Sequence, residues 1–211
     1  MADTYLFDFD GTLVDSMPSF AALMLRILDE NGIAYGDDIV KIITPLGYHG
    51  TARYFRTLGV DASEEELIAT MNRYAYEDYA YHIEAKETVP ETLRALRASG
   101  ASLNVLTASP HAALDPCLKR LGLWELFDNV WSCDDFATTK ADPDIYVRAA
   151  ARIGVPVGDV IFVDDNVNAV KTAARSGMRA YGIYDPSSAD YAEEMKKAGE
   201  RYLQTLADLM K

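Results

Sequence analysis

Apolar positions along the chain fall into three textures. Tyr5, Leu6, Phe7 and Phe9 form a short run that reads as a buried strand, interrupted at period two by Asp8 and Asp10, which aims both carboxylates to one side. Ser16 and Pro18 then look like a helix start, and Phe20, Leu23, Met24, Ile27 and Leu28 recur at helical spacing up to an Asn31-Gly32 stop. Between Asp37 and about Lys86 the pattern stays helical: a short helix from Ile39, a break at Pro45-Leu46-Gly47, and a segment through Ala52, Tyr54, Phe55 and Leu58. Ser63 with Glu66 gives a capping-box signal, after which Leu67, Ile68, Met71, Tyr74 and Ala75 line one helical face. No strand pattern occurs in this second stretch.

From Val89 onward, short apolar runs alternate with helical patterns. The spacing predicts helices over 90–99, 110–121, 143–153 and 167–176, and strands over 102–106, 130–132, 160–163 and 179–183. Ala189 to Lys211 carries helical periodicity through Leu203, Leu206 and Met210. Such β/α alternation predicts a parallel sheet covered on both faces. The expected architecture is therefore an α/β core from residues 1–15 and 87–211, with an α-helical insertion over 16–86. In open parallel sheets ligands bind beyond the carboxyl ends of the strands. Three polar groups fall there: Asp8 with Asp10, Thr107-Ala108-Ser109, and Asp164-Asp165-Asn166.

The 211 residues, 49% of them hydrophobic, are enough to fill one domain or a core with a modest insertion. A formal net charge of −13 and the lack of any Lys/Arg cluster argue against nucleic acid as a partner. The same charge opposes a small phosphorylated substrate at long range, so a site for one must carry its own cation and a few placed basic groups. Cys117 and Cys133 have neither metal-ligand spacing nor a disulfide-rich setting, which predicts buried or partly buried thiols and a reducing compartment. The acidic Asp3 leads directly into the first strand without a positive n-region, and no apolar run reaches membrane-spanning length. A cytoplasmic protein with no membrane partner is expected; the sequence does not set the oligomeric state.

The strand-end groups have definite chemical uses. Repulsion between Asp8 and Asp10 calls for compensation, and Mg²⁺, a hard ion with oxygen ligands and an open, hydrated site, suits phosphate chemistry. The plainer alternative is a strand ending in a solvated Asp-Gly turn. The Thr107 hydroxyl and the amides of the following helix start can hold phosphate oxygens without adding charge, although Ser109 alone reads first as a helix N-cap. Lys140, in a polar loop before a proline-started helix, can neutralise a nucleophilic carboxylate and a bound phosphate; alone it reads as a surface lysine. Asp164 and Asp165 can complete a metal site, or cap the helix near Val167.

Taken together, Asp-x-Asp-Gly-Thr over Asp8 to Thr12, a strand-ending Thr107, the loop Lys140 and the strand-ending Asp164-Asp165 resemble the haloacid dehalogenase-like phosphohydrolase superfamily over nearly the whole chain. The helical insertion resembles the cap domain of the branch containing phosphoglycolate phosphatase and β-phosphoglucomutase. The resemblance implies a Rossmann-like parallel sheet core and an aspartyl-phosphate intermediate on Asp8. It implies that Asp10 protonates the leaving oxygen and later activates water. Asp8, the backbone carbonyl of Asp10, and Asp165 would hold Mg²⁺ with help from Asp164. Thr107 and Lys140 would stabilise the transferring phosphoryl group, and Gly11, Thr12, Ala108 and Ser109 would contact substrate. The acid at Asp10 argues for phosphate over halide chemistry, since the haloacid dehalogenases themselves lack it. Met17-Pro18-Ser19-Phe20 lacks the histidine found there in β-phosphoglucomutase, and Ala169 replaces an acid common in family phosphatases.

In the insertion, Tyr48, His49 and Arg53 follow the Pro45-Leu46-Gly47 break, where a lid loop would select substrate. Alternatively, Arg53 is solvated and His49 caps a helix. Tyr74, Tyr76, Tyr79 and Tyr81 give an aromatic helix that reads first as packing. The resulting expectation is a Mg²⁺-dependent phosphatase acting on a small phosphorylated metabolite. A phosphomutase and a non-catalytic, metal-dependent phosphate-binding module are the alternatives.

Overall fold

Thr4, Tyr5, Leu6 and Phe7 form the first strand, β1 (Thr4–Phe7), and all four are buried, as a strand covered on both faces requires. The computed structural model describes residues 3–43 and 46–211, so Pro45 of the expected helix break lies outside the described residues. After β1 come α1 (Met17–Glu30), α2 (Ile39–Ile43), α3 (Gly47–Thr57) and α4 (Glu64–Tyr81). There follow α5 (Val89–Ala98), β2 (Ser102–Thr107), α6 (His111–Arg120), β3 (Asn129–Ser132), α7 (Asp144–Ile153), β4 (Val160–Asp164), α8 (Val167–Arg175), β5 (Arg179–Ile183), α9 (Ala192–Ala198) and β6 (Arg201–Leu203). Six strands form one sheet in the order β3-β2-β1-β4-β5-β6, and every pairing is parallel.

Two compact units divide the chain: residues up to Asp15 with Glu84–Lys211, and Ser16–Ile83. Residues 84–86, which sequence alone puts in the insertion, belong with the first unit for a backbone reason. The Asp15 amide donates to the Glu84 carbonyl at 3.0 Å, the Lys86 amide to the Leu13 carbonyl at 3.0 Å, and Val14 bridges Ala85.

In the sheet unit, Leu6, Leu106, Tyr146, Phe162 and Val170 belong to one core, with the Phe162 ring 5.0 Å from Tyr146 in an edge-on arrangement. Cys117 and Cys133 are buried thiols outside any disulfide; burial pushes the Cys117 thiol up to about 11, which makes it a poor nucleophile. In the helical unit, Leu23, Met24, Ile27, Phe55, Leu67 and Met71 form a separate core. Its longest helix, α4, starts at the expected capping box: the Glu66 amide donates to Ser63 Oγ at 3.2 Å, and the Ser63 amide donates to Glu66 Oε2 at 2.8 Å. Tyr74 is buried under the Arg26 guanidinium, which lies 3.8 Å from the ring centre, whereas Tyr81 is 70% exposed. Among the described residues no helix is long and apolar enough to cross a membrane.

The chain from Ala189 onward departs from its helical expectation. The helix α9 stops at Ala198, and β6 adds a three-residue strand beside β5 before a closing 3₁₀ turn over Leu206–Met210. Gly199 explains the break: a Cβ there would sit 2.8 Å from the Ala180 carbonyl oxygen, which also accepts the Glu200 amide at 2.8 Å. The chain thus presses its backbone against β5, where only glycine fits. Leu203 and Leu206 are buried, but on a strand and a turn rather than one helix face.

Phe162 is fully buried in the middle of β4. Replacing it with alanine is expected to cost about 3–5 kcal/mol in urea unfolding, from lost burial plus the cavity left against Tyr146.

Candidate active site

Parallel pairing sets Phe7 of β1 opposite Val163 of β4, and the Asp8 amide extends the ladder by donating to the Val163 carbonyl at 2.9 Å. Asp8 therefore leaves the sheet beside Asp164, the last residue of β4. On its other flank, β1 pairs with β2, which ends at Thr107. Three neighbouring strands thus deliver their polar ends to one rim of the sheet.

Carboxylate oxygens of Asp8, Asp164 and Asp165 lie within 4.8 Å of one another, and all three residues are buried. Lys140 Nζ donates to Asp8 Oδ1 and, at 2.9 Å, to Asp164 Oδ2. Burial first, and then the Asp164 charge, push Asp8 well above the usual carboxylate range against the pull of Lys140. The same two causes push Asp165 up to about 7. Burial works against the Lys140 ammonium too, but Asp164 and Asp8 more than offset it and raise its pKa. One ammonium cannot balance three carboxylates. An all-oxygen, anionic donor set this compact fits a hard divalent cation, whose charge would offset the mutual repulsion of the three carboxylates.

Lys140 is not a surface lysine, and the loop that carries it is held from inside. The Tyr146 hydroxyl, in the core, donates between the Lys140 carbonyl oxygen at 3.1 Å and that of Ala169 at 3.2 Å. Sequence reasoning missed Tyr146, because a tyrosine at helical spacing carries no signal distinguishing a support from core filling.

Asp10 stands apart from the cluster and accepts a hydrogen bond from the Ser109 hydroxyl at 2.5 Å. Ser109 is not the N-cap of α6; Pro110 occupies that position without a side-chain bond, and the Ser109 amide donates to Thr107 Oγ1 at 3.0 Å. Ala108, between them, is exposed on the rim. Gly11 adopts φ +73°, and a Cβ there would lie 2.6 Å from Asp165 Oδ2, so both conformation and space require glycine. The Thr12 hydroxyl donates to Asp165 Oδ1 at 3.3 Å and accepts the Asp165 amide at 3.2 Å. The cap of α8 is Asn166, which accepts the Asn168 and Ala169 amides at 2.9 and 3.3 Å. Asp164 and Asp165 are therefore not the helix cap. Asp164 keeps one oxygen on Lys140 and the other on the Asn166 amide at 2.6 Å.

Tyr48, His49 and Arg53 lie on α3 of the helical unit. Tyr48 stacks on Phe20 with ring centres 6.0 Å apart, while His49 Nδ1 and the Arg53 guanidinium share Glu64 at 3.0 and 3.2 Å. His49 is inside α3 and does not cap it.

The sheet order, the crowded acids at its rim and the lysine among them define a parallel α/β core with an acidic, cation-fitting site at its strand ends. The chain belongs to the haloacid dehalogenase-like hydrolases, whose family model matches residues 2–177. It is 29% identical over 181 residues to the pyrophosphatase PpaX of Bacillus velezensis, covering 84% of this chain and 81% of that protein. It is 28% identical over 199 residues to a phosphoglycolate phosphatase of Salmonella typhi, covering 84% of this chain and 79% of that one. A solved structure from Thermotoga maritima, provisionally named a β-phosphoglucomutase, shares the fold with a TM-score of 0.85 at 20% identity, covering 99% of this chain and 96% of that one.

The raised carboxylates set a pH dependence for the metal-free protein. Between the ordinary aspartate value of 3.8 and about 7, folded Asp165 keeps a proton that the unfolded chain has lost. Fewer protons on the unfolded state mean that unfolding free energy falls as pH rises, by at most about 1.4 kcal/mol per pH unit from this group. Asp8 acts in the same direction. In EDTA, stability measured by urea unfolding is expected to drop as pH rises through that window, and Asp165→Asn should flatten the slope.

Proposed function

We propose that this hydrolase is a Mg²⁺-dependent phosphatase that removes phosphate from a small phosphorylated metabolite through an aspartyl-phosphate intermediate. The observation that carries this reading is the buried cluster of Asp8, Asp164 and Asp165, with Lys140 on the first two, beside a separate Asp10 held by Ser109. The phosphatase and pyrophosphatase activities named for the relatives support phosphate ester or anhydride cleavage over other hydrolyses.

In this reading Asp8 supplies the nucleophilic oxygen. It attacks phosphorus, the bond to the leaving oxygen breaks, and Asp10 gives that oxygen its proton. Asp10 then takes a proton from water as the water oxygen attacks the aspartyl phosphate, which restores Asp8. Its hydrogen bond from Ser109 fixes the orientation of the carboxyl for both transfers. Mg²⁺, held by Asp8, the Asp10 carbonyl and Asp165 with Asp164 in support, would supply electrostatic stabilisation to the transferring phosphoryl group. Lys140 and the Thr107 hydroxyl face the same developing charge, while Gly11, Thr12, Ala108 and Ser109 form the surrounding phosphate-binding turns. The helical unit would act as the cap, with Tyr48, His49 and Arg53 setting substrate choice. A reducing cytoplasm is part of the proposal, consistent with two buried thiols outside any disulfide.

Phosphate release from a panel of small phosphate esters tests this. Activity should require Mg²⁺, vanish in EDTA and vanish in Asp8→Asn, and Asp10→Asn should lose about 10²–10⁴-fold in kcat. No phosphate release by the folded wild-type protein across the panel would overturn the reading.

A further inference from the structure

Lys86 belongs to none of the motifs above, yet its side chain reaches the nucleophile loop. Its Nζ donates to the Gly11 carbonyl oxygen at 2.5 Å, to Asp185 Oδ2 at 2.8 Å and to the Tyr184 carbonyl oxygen at 3.2 Å. Those three acceptors use all the donors of an ammonium. The Lys86 amide also donates to the Leu13 carbonyl at 3.0 Å, so this one residue grips both ends of the Gly11-Thr12-Leu13 segment. Asp185, 1% exposed, is held in turn by the Ser187 amide at 2.8 Å and hydroxyl at 2.6 Å.

The geometry points to Lys86, anchored by Asp185, as a positioning residue that fixes the Gly11-Thr12 turn and through it the seat of Asp165. This rests on the phosphatase reading, in which Asp165 holds Mg²⁺. The chain of contacts is short. Gly11 lies directly against the Asp165 carboxylate, and the Thr12 hydroxyl bonds both its carboxylate and its amide. A shift of the Gly11 carbonyl therefore moves two groups that touch Asp165. Packing does not hold the turn from this side. A cavity of about 190 Å³, bordered by Thr12, Lys86, Val89, Ile183 and Tyr184, lies there, and Lys86 crosses its wall. A plain ion pair would need only Asp185; two backbone carbonyls on the same ammonium make it a brace. The same cavity gives an arginine room to replace the lysine.

The test uses full-length Lys86→Met, Lys86→Arg and the double variant Lys86→Met with Asp185→Asn, which leaves no unpaired buried carboxylate. Mg²⁺ affinity by calorimetry, thermal melting in EDTA, and kcat and KM on p-nitrophenyl phosphate are read for each. Lys86→Met and the double variant should bind Mg²⁺ about tenfold or more weakly, well below their melting temperatures, with kcat falling more than KM changes. Lys86→Arg should recover most of both. A merely structural pair would lower melting temperature and leave Mg²⁺ affinity and kcat intact in the folded double variant, and that result overturns the proposal. If Lys86→Met fails to fold, the double variant and Lys86→Arg decide it by the same readings. Wild-type protein that neither binds Mg²⁺ nor releases phosphate would instead sink the phosphatase reading, and the brace with it.

Discussion

Three buried carboxylates meet one ammonium at the rim of the sheet, and much of the structure follows from keeping them there. Neighbouring strands of a sheet run about 4.8 Å apart, so ending β1 and β4 at the same level forces Asp8 and Asp164 together. Left alone, such groups would take up protons or draw in water. Lys140 answers part of the charge, and because it sits on a loop rather than a strand, its own position must be secured. The Tyr146 hydroxyl, fixed against Phe162 in the core, provides that hold. A core residue on α7 is thus tied to the electrostatics of acids at the ends of β1 and β4.

Much of this arrangement is legible in the sequence because strand-end chemistry leaves a linear trace. Asp8, Thr107 and Asp164 each close an apolar run, so the topology rule for parallel sheets places them on one rim before any coordinates are known. Elements with a long pattern, such as α1 and α4, can be read for the same reason. The C-terminal segment cannot: a three-residue edge strand carries too little alternation to compete with the apparent helical spacing of Leu203, Leu206 and Met210. Gly199 was the only sign, and its meaning depends on the Ala180 carbonyl that it faces. Lys86, Tyr146 and Asp185 stay silent for a related reason. Their work is done through tertiary contacts, and nothing in the local pattern reports that Lys86 has partners 75 and 99 residues away or that the Tyr146 hydroxyl meets Lys140 and Ala169.

Two aspartates only two residues apart are given different surroundings, which suits the different tasks proposed for them. Asp8 is enclosed with like charges and a lysine, so burial, the Asp164 charge and the Lys140 ammonium govern its state. Asp10 accepts from a neutral hydroxyl and is only partly buried, a setting that suits the acid and base role proposed for it. Separating a pair of carboxyls by environment rather than by distance is a general route to dividing nucleophile from acid and base. The Gly11-Thr12 turn is what allows it. Positive φ at Gly11 reverses the chain directly after Asp10, and Thr12 then points back to Asp165.

Net charge and local charge work on different length scales here. A formal charge of −13 repels an approaching phosphate in bulk, but at physiological ionic strength that repulsion is screened beyond about 8 Å. Inside the site screening is weak, so the placement of Lys140 against the three carboxylates counts for more than the net charge. A long polyanion would remain in the acidic field along its length, whereas a small anion needs to cross only about one screening length before the Lys140 ammonium acts on it. The surface charge and the buried cluster therefore act at different distances, the first screened where the second takes over.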